Sequence, residues 1–117
     1  MIPFELSTNL GHTWFFDLDG TILKHNGRWN GGDELLPGVK ELWDKIPPGD
    51  CIVITTGRET EYIQESLDFL DQHNLRYNHV LCNLPLGERI VINDEKPEGL
   101  QTAIAWNVKR DAGFKDL

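Results

Sequence analysis

Two aspartates separated by one residue stand at the end of an apolar, aromatic run, in the stretch Asp17-Leu-Asp-Gly-Thr21. Because side chains alternate between the two faces of a strand, Asp17 and Asp19 are expected to face the same side. Two carboxylates so close together repel each other unless a cation binds them or one of them takes a proton. Hard cations such as Mg²⁺ prefer oxygen ligands. A calcium-binding loop that starts at Asp17 is excluded by its spacing, because it would need glycine where this chain has Ile22. The pair therefore favours a magnesium site over a solvated turn with two acids.

A second polar stretch closes the apolar run Cys51-Ile-Val-Ile-Thr-Thr56 and continues into Gly57-Arg58. A hydroxyl and backbone N–H groups at a strand-to-helix turn suit a phosphate, and the helix N-terminus adds to the attraction. We assign this role to Thr56, with Thr55 as the alternative. Taken alone, Thr56 would be better explained as a helix cap, but the aspartate pair favours the phosphate site.

Together with Ile90-Val-Ile-Asn-Asp94-Glu-Lys-Pro97, these stretches resemble, in the same order, the motifs of the haloacid dehalogenase-like (HAD) phosphohydrolase superfamily. The resemblance implies that Asp17 attacks phosphorus and becomes an aspartyl-phosphate. It also implies that Asp19 protonates the leaving group and then activates water. Carboxylate nucleophiles of this kind divide one difficult step into two easier ones.

The resemblance also implies a Mg²⁺ ion held by Asp17, the backbone carbonyl of Asp19, and Asp94. Many members carry a second aspartate beside this last ligand, where the present chain has Asn93, which can still hydrogen-bond a metal-bound water. We expect Glu95 to face solvent, with a role as a second acid as the alternative.

By the same resemblance, Thr56 and the backbone of Leu18 and Gly57 would hold the phosphoryl oxygens. Superfamily members usually add a lysine between the second and third motifs, but no lysine occurs from residue 46 to 95. We nominate Arg89, which precedes the run ending at Asp94, because an arginine binds phosphate through two N–H groups and keeps its charge. The competing cations are Arg58 and Lys96.

Apolar runs alternate with helical patterns along the chain, which predicts an α/β fold: a single Rossmann-like domain over residues 1–117. Its central sheet is expected to be mostly parallel and flanked by helices, without a large cap domain. The predicted strands are 13–19, 51–56, 79–83 and 89–93, the predicted helices are 39–46 and 59–73, and 103–108 is a strand or a helix. The linker before 89–93 is too short for a crossover between adjacent parallel strands, so that strand is not a neighbour of 79–83 or is not a strand.

Only residues 20–36 are available for an insertion after the first motif, and we interpret this glycine-rich segment as a flap or irregular hairpin. The chain thus resembles capless members of the superfamily, whose open sites accept bulky substrates or borrow a lid from a partner subunit. A homo-oligomer is therefore an open alternative. Trp29 in the flap is a candidate to stack on a sugar or base, or to pack against a partner, and His25 is more simply a solvated residue.

Charge and composition limit the partners. The 117 residues carry 19 Asp+Glu against 11 Lys+Arg, a net charge of −8, which argues against long nucleic acids and anionic membranes. Two cysteines suit a reducing compartment, and neither a basic signal segment nor a membrane-length apolar run is evident, so a cytoplasmic protein is expected. The substrate class predicted is a small phosphomonoester such as a sugar phosphate. The alternatives are a nucleotide or polynucleotide-end phosphatase, and a catalytically weak binding or regulatory subunit.

Overall fold

Three parallel strands form the sheet of this protein, whose computed structural model describes residues 2–115. They are β1 (Thr13–Asp17), β2 (Cys51–Thr55) and β3 (His79–Leu81), in the order β1-β2-β3. Asp17 pairs with Thr55, and Thr55 pairs with Leu81, so the carboxyl ends of all three strands meet at one edge. This edge collects the polar residues that follow β1 and β2.

Two helices accompany the sheet, α1 (Val39–Lys45) and α2 (Ile63–Gln72), and short 3₁₀ helices cover Gly27–Trp29 and Thr60–Tyr62. The predicted mixed α/β class with a parallel sheet is confirmed. Among residues 2–115, no helix has both the length and the apolar character to cross a membrane.

The start of α1 is fixed by a close crossing of the chain. Gly38 precedes the helix with φ of 79°, a left-handed conformation that glycine adopts without strain. A Cβ at this position would lie 1.5 Å from the carbonyl oxygen of Phe114, so only glycine lets the C-terminal stretch pass. Phe114 is itself buried, and its N–H donates to the carbonyl of Pro37 over 2.7 Å.

One apolar core joins β1, β2, both helices and this C-terminal stretch. Phe16 of β1 lies against Trp43 of α1, with ring centroids 4.3 Å apart, a separation at which aromatic pairs attract beyond their burial. Other fully buried members of the core come from the turn after β1, from both helices and from β2: Leu18, Ile22, Leu23, Leu42, Ile52, Ile54 and Leu70. The turn after β1 is thus held by its own apolar residues.

Residues 85–107, here called the arm, are exposed throughout and contain no strand or helix. The predicted strand at 89–93 is therefore wrong: Ile90 is 82% and Ile92 92% exposed, and no strand pairs with this segment. The linker between β3 and residues 89–93 is too short for the crossover that a neighbouring parallel strand would need. The predicted strand or helix at 103–108 is also wrong. The arm bonds locally, with Asn93 Nδ2 donating to Thr102 Oγ1 over 2.7 Å.

The amino ends of β1 and β2 are tied together by one buried carboxylate. Asp50 accepts hydrogen bonds from the His12 backbone N–H (3.1 Å) and the Trp14 indole (2.9 Å), and it pairs with His12 Nδ1 at 2.8 Å. The bond to Asp50 raises the pKa of His12 above its ordinary value of 6.5. Burial by itself would raise the pKa of Asp50, but the bonds from Trp14 and His12 outweigh it and lower that pKa below 3.8.

Replacing Asp50 by asparagine should lower the free energy of unfolding by about 1.5–3 kcal/mol, the usual worth of hydrogen bonds to a charged group. Folded His12 binds its proton more tightly than unfolded His12, so its share is present below about pH 6.5 and is lost as the pH rises through the raised pKa. Asp50 contributes above about pH 4, and its share is lost as the pH falls through the lowered pKa.

The loss caused by Asp50→Asn should therefore be largest between about pH 4 and 6.5, as measured by urea unfolding across that range. Asp44→Asn, which changes an exposed carboxylate on α1, serves as the matched control and should shift stability by less than about 0.5 kcal/mol. An Asp50→Asn loss that stays constant from about pH 4 to 9 would contradict the pairing with His12.

Candidate active site

A tight turn at the end of β1 positions the two aspartates. The carbonyl of Leu18 accepts hydrogen bonds from the N–H groups of Ile22 and Leu23, both over 3.0 Å. Gly20 stands in the middle of this turn with φ of 85°, and its carbonyl accepts the N–H of Asp111 over 2.9 Å. The sequence folds in this way because apolar residues beside a glycine let the turn be buried while its two acids stay at the surface.

Asp17 is a half-buried carboxylate with unusual proton affinity. Burial raises its pKa and outweighs the opposing effects of Arg89, the hydroxyl of Thr21 and the N–H of Leu18, while the charge of Asp19 raises the pKa further. The Thr21 hydroxyl donates to Asp17 Oδ2 over 3.2 Å. With 39% of its side chain exposed, Asp17 still presents oxygen atoms to a ligand.

Asp19 is held by Arg58, which lies just past β2 and is only 2% exposed in its side chain. The guanidinium donates to both oxygens of Asp19, with Nη2 to Oδ1 at 2.7 Å and Nε to Oδ2 at 3.0 Å. It also donates to both oxygens of Asp33 in the flap, at 2.8 and 3.0 Å, and to the hydroxyl of Ser66 on α2. These contacts use all five N–H donors of an arginine, so none is left for a ligand.

This arrangement keeps Arg58 charged inside the protein. Burial by itself would lower the pKa of the guanidinium, but the hydrogen bonds and charges of Asp33 and Asp19 outweigh it and raise that pKa. Sequence reasoning missed Asp33 and Ser66. Asp33 sits in a glycine-rich segment without periodicity, and Ser66 looks like any polar residue of a helix, so neither carries a local signal.

The phosphate-binding residues predicted after β2 lie beside the aspartates. Thr56 is buried directly beyond the Asp17–Thr55 pair, and its hydroxyl oxygen accepts the N–H of Arg58 over 3.0 Å. The hydroxyl of Thr55, the alternative, instead donates to the carbonyl of Phe16 over 3.1 Å within the sheet. Gly57 follows with little room, since a Cβ there would lie 2.9 Å from the side chain of Leu86.

Among the competing cations, Arg89 is brought to the aspartates. Its Nη2 lies 3.5 Å from Asp17 Oδ1, and 42% of its side chain is exposed. Arg58 is close as well, but its donors are already used. Lys96 lies in a turn of the arm, where its N–H donates to the carbonyl of Leu100.

The metal ligands expected from the sequence are only partly assembled. Within residues 2–115, no three acidic, histidine or cysteine side chains form a group that could hold a metal, so Asp94 does not join Asp17 and Asp19. The aspartate pair alone has suitable chemistry, because Mg²⁺ in proteins commonly takes one or two carboxylates and completes its shell with water and substrate phosphate. The exposed carboxylate of Asp17 therefore has the chemistry for the ion, whereas Asp94 is not grouped with it among residues 2–115.

The chain was also compared with protein-family models, with curated proteins and with solved structures, and none of them matched it.

Replacing Arg58 by methionine should lower the free energy of unfolding by about 3–5 kcal/mol, because it leaves Asp19 and Asp33 with uncompensated charge in a partly buried place. The measurement is urea unfolding of both proteins at neutral pH. The matched control is Lys24→Met, which removes a lysine from an exposed pair with Glu34, 3.8 Å apart. Such a surface pair is worth only about 0–1 kcal/mol, so equal losses in the two variants would contradict the role of Arg58.

Proposed function

We propose that this chain is a magnesium-dependent phosphomonoesterase of the HAD type that works through an aspartyl-phosphate on Asp17. The observation that carries the proposal is the meeting of Asp17, Asp19 and Thr56 at the carboxyl edge of one parallel sheet. The motif order along the chain adds support, and the parallel sheet is consistent with the Rossmann-like class that we propose for the domain.

The two aspartates differ in a way that suits different roles. Asp17 is half-exposed, and its contacts with Thr21 and Arg89 are single and long, so an oxygen is free to attack phosphorus. Both oxygens of Asp19 are fixed by Arg58, which orients the carboxyl group but leaves lone pairs on each oxygen for a proton. We therefore assign Asp17 as the nucleophile and Asp19 as the general acid and base.

Before the first step Asp19, an ion-paired carboxylate in the structure, must take a proton from solvent. In the first step an oxygen of Asp17 then attacks phosphorus, the bond from phosphorus to the leaving oxygen breaks, and Asp19 gives that proton to the leaving oxygen. In the second step Asp19 takes a proton from water, and the water oxygen attacks phosphorus. The bond to Asp17 then breaks, which releases inorganic phosphate and restores both carboxyl groups. Division of the reaction through a covalent intermediate lowers the barrier of each part.

Charge neutralisation supplies much of the rate in phosphoryl transfer. Asp17 and the carbonyl of Asp19 would hold Mg²⁺, which would supply positive charge against the phosphoryl oxygens. Asp94, which is not grouped with them among residues 2–115, would have to approach the pair to become a further ligand. Thr56, the backbone of Leu18 and Gly57, and Arg89 are proposed to hold the same oxygens by hydrogen bonds. Arg89 is exposed enough to reach a ligand, and its ion pair with Asp17 is long, at 3.5 Å.

The proposed substrate is a small phosphorylated metabolite, since a net charge of −8 disfavours long polyanions. We place the protein in the cytoplasm, because its cysteines, Cys51 and Cys82, are both free and suit a reducing compartment.

Two observations favour a second candidate, a binding or regulatory subunit with the same fold. Both oxygens of Asp19 accept a hydrogen bond from Arg58, and Asp94 is not grouped with the aspartate pair among residues 2–115. Mg²⁺ binding by calorimetry without turnover of any phosphomonoester would favour this candidate over the enzyme.

Replacing Asp17 by asparagine should lower Mg²⁺-dependent phosphatase activity by at least about 1,000-fold, because an amide cannot replace the carboxylate nucleophile. The assay is phosphate release, together with a mass measurement that detects one phosphoryl group on the wild-type chain after rapid quenching. Asp44→Asn removes an exposed carboxylate distant in sequence and should keep full activity. Full activity in Asp17→Asn would overturn the mechanism.

Replacing Arg89 by glutamine should lower kcat/KM by about 100-fold, the usual effect of removing one donor from a developing oxyanion. Lys96→Gln should change kcat/KM by less than about threefold, since that side chain lies in the exposed turn of the arm. The reverse order of the two effects, in steady-state kinetics at saturating Mg²⁺, would assign the phosphate-neutralising role to Lys96.

A further inference from the structure

A cavity of about 280 Å³ lies beside the aspartate pair, lined by Arg28, Trp29, Arg58, Tyr62 and Glu65. It adjoins the proposed active site through Arg58, which lines it and donates to Asp19 over 2.7 Å. The flap supplies one wall, and the other wall comes from the 3₁₀ helix Thr60–Tyr62 and the first turn of α2. Arg58 is therefore the contact between the cavity and the aspartate pair.

Arg28 carries a donor without a partner. Its Nη1 is buried and makes no hydrogen bond to any of residues 2–115, whereas buried polar groups in proteins are almost always paired. The donors of Arg58 in the same cavity are all used by Asp19, Asp33 and Ser66. Arg28 is thus the arginine of the cavity whose donors are not all used within residues 2–115.

Two aromatic rings at the cavity stay exposed although such rings are usually buried. Trp29 is 67% and Tyr62 50% exposed. The guanidinium of Arg28 lies over the Trp29 ring, 4.6 Å from its centroid, which fixes both side chains against each other. The exposed ring surface suits the apolar face of a ligand ring, as in pockets that combine aromatic walls with a few polar groups.

The polar groups indicate what kind of ring fits. Arg28 can only donate hydrogen bonds, and the carboxylate of Glu65 can only accept them. A hydroxyl group serves both, because it accepts and donates. The volume suits one ring with substituents, since a cavity of about 150 Å³ holds a benzene ring.

We propose that this cavity binds the leaving group of the substrate and that the leaving group is a single sugar ring. In this proposal, which rests on the proposed phosphatase function, Arg28 donates to a ring or hydroxyl oxygen and Glu65 accepts from a hydroxyl. Trp29 and Tyr62 contact the faces of the ring. The flap thereby selects sugar monophosphates among small phosphomonoesters.

The kinetic test compares glucose monophosphate with glycerol phosphate, which has no ring, in wild type and in Arg28→Met. The variant should lower kcat/KM for glucose monophosphate by about 10- to 100-fold and change that for glycerol phosphate by less than about threefold. Trp29→Ala should act in the same direction, and Trp29→Phe, which keeps a ring, should recover most of the loss. Lys45→Met, which removes an exposed positive charge from α1, is the matched control and should change neither value.

Equal losses on both substrates, or no loss on either, would overturn the sugar-binding role of the cavity while leaving the phosphatase intact. A preference for adenosine monophosphate that depends on Arg28 would overturn the choice of a single sugar ring. Unfolding midpoints should show that Arg28→Met is at least as stable as wild type, because it removes an unpaired buried donor.

Binding to the Asp17→Asn variant separates this proposal from the phosphatase proposal. Glucose monophosphate should quench tryptophan fluorescence of Asp17→Asn, and the added change Arg28→Met should weaken its affinity by about 10-fold or more. Inorganic phosphate should bind both proteins equally. If no phosphomonoester is turned over by wild type but this difference in affinity holds, the phosphatase proposal fails and the sugar site stands. Equal affinities for glucose monophosphate would overturn the sugar site.

Discussion

One buried guanidinium, that of Arg58, connects the parts of this molecule that the proposed chemistry requires. A charge removed from water is very costly unless it is paired and hydrogen-bonded, so the partners of this guanidinium must lie within hydrogen-bonding distance of it. Asp19 comes from the turn after β1, Asp33 from the flap and Ser66 from α2, and all of them contact this one group. The flap, the turn and the second helix are therefore one unit, held by the requirement that a single arginine be satisfied.

The hydrogen bonds of Arg58 also determine which arginines of the site have donors left for a ligand. Because every N–H of Arg58 is bound within the protein, Arg58 orients Asp19 and does not bind a ligand. Arg89, on the exposed arm, and Arg28, in the flap, are the arginines to which we assign the phosphate and its leaving group in the proposals above. A net charge of −8 is compatible with the proposed phosphomonoester substrate, because nearby cations, and a metal ion where one binds, determine the local potential more than the charge of the whole chain does.

The arm itself contributes little to the fold, whereas the residues that follow it contribute to the core and hold the turn after β1. The arm lies in solvent with its apolar residues exposed, yet the chain returns so that Phe114 enters the core. Close to this return, Asp111 accepts the N–H of His25 over 2.7 Å and donates its own N–H to Gly20. The turn that carries the aspartates and the start of the flap are thus both fastened by residues far away in sequence.

Local patterns were sufficient for part of this description. The spacing of apolar residues predicted α1, α2 and the first three strands, because these features depend on a few consecutive residues. Strand alternation was the basis for expecting Asp17 and Asp19 on one side, but β1 ends at Asp17 and the turn after it positions Asp19. The run at 89–93 has the composition of a strand, but a strand exists only where another strand pairs with it, and only the tertiary structure decides that. For the same reason Asp33, Ser66 and the unpaired donor of Arg28 carried no signal in the sequence. Their roles follow from which groups surround a buried charge, and that is settled when distant stretches of the chain pack together.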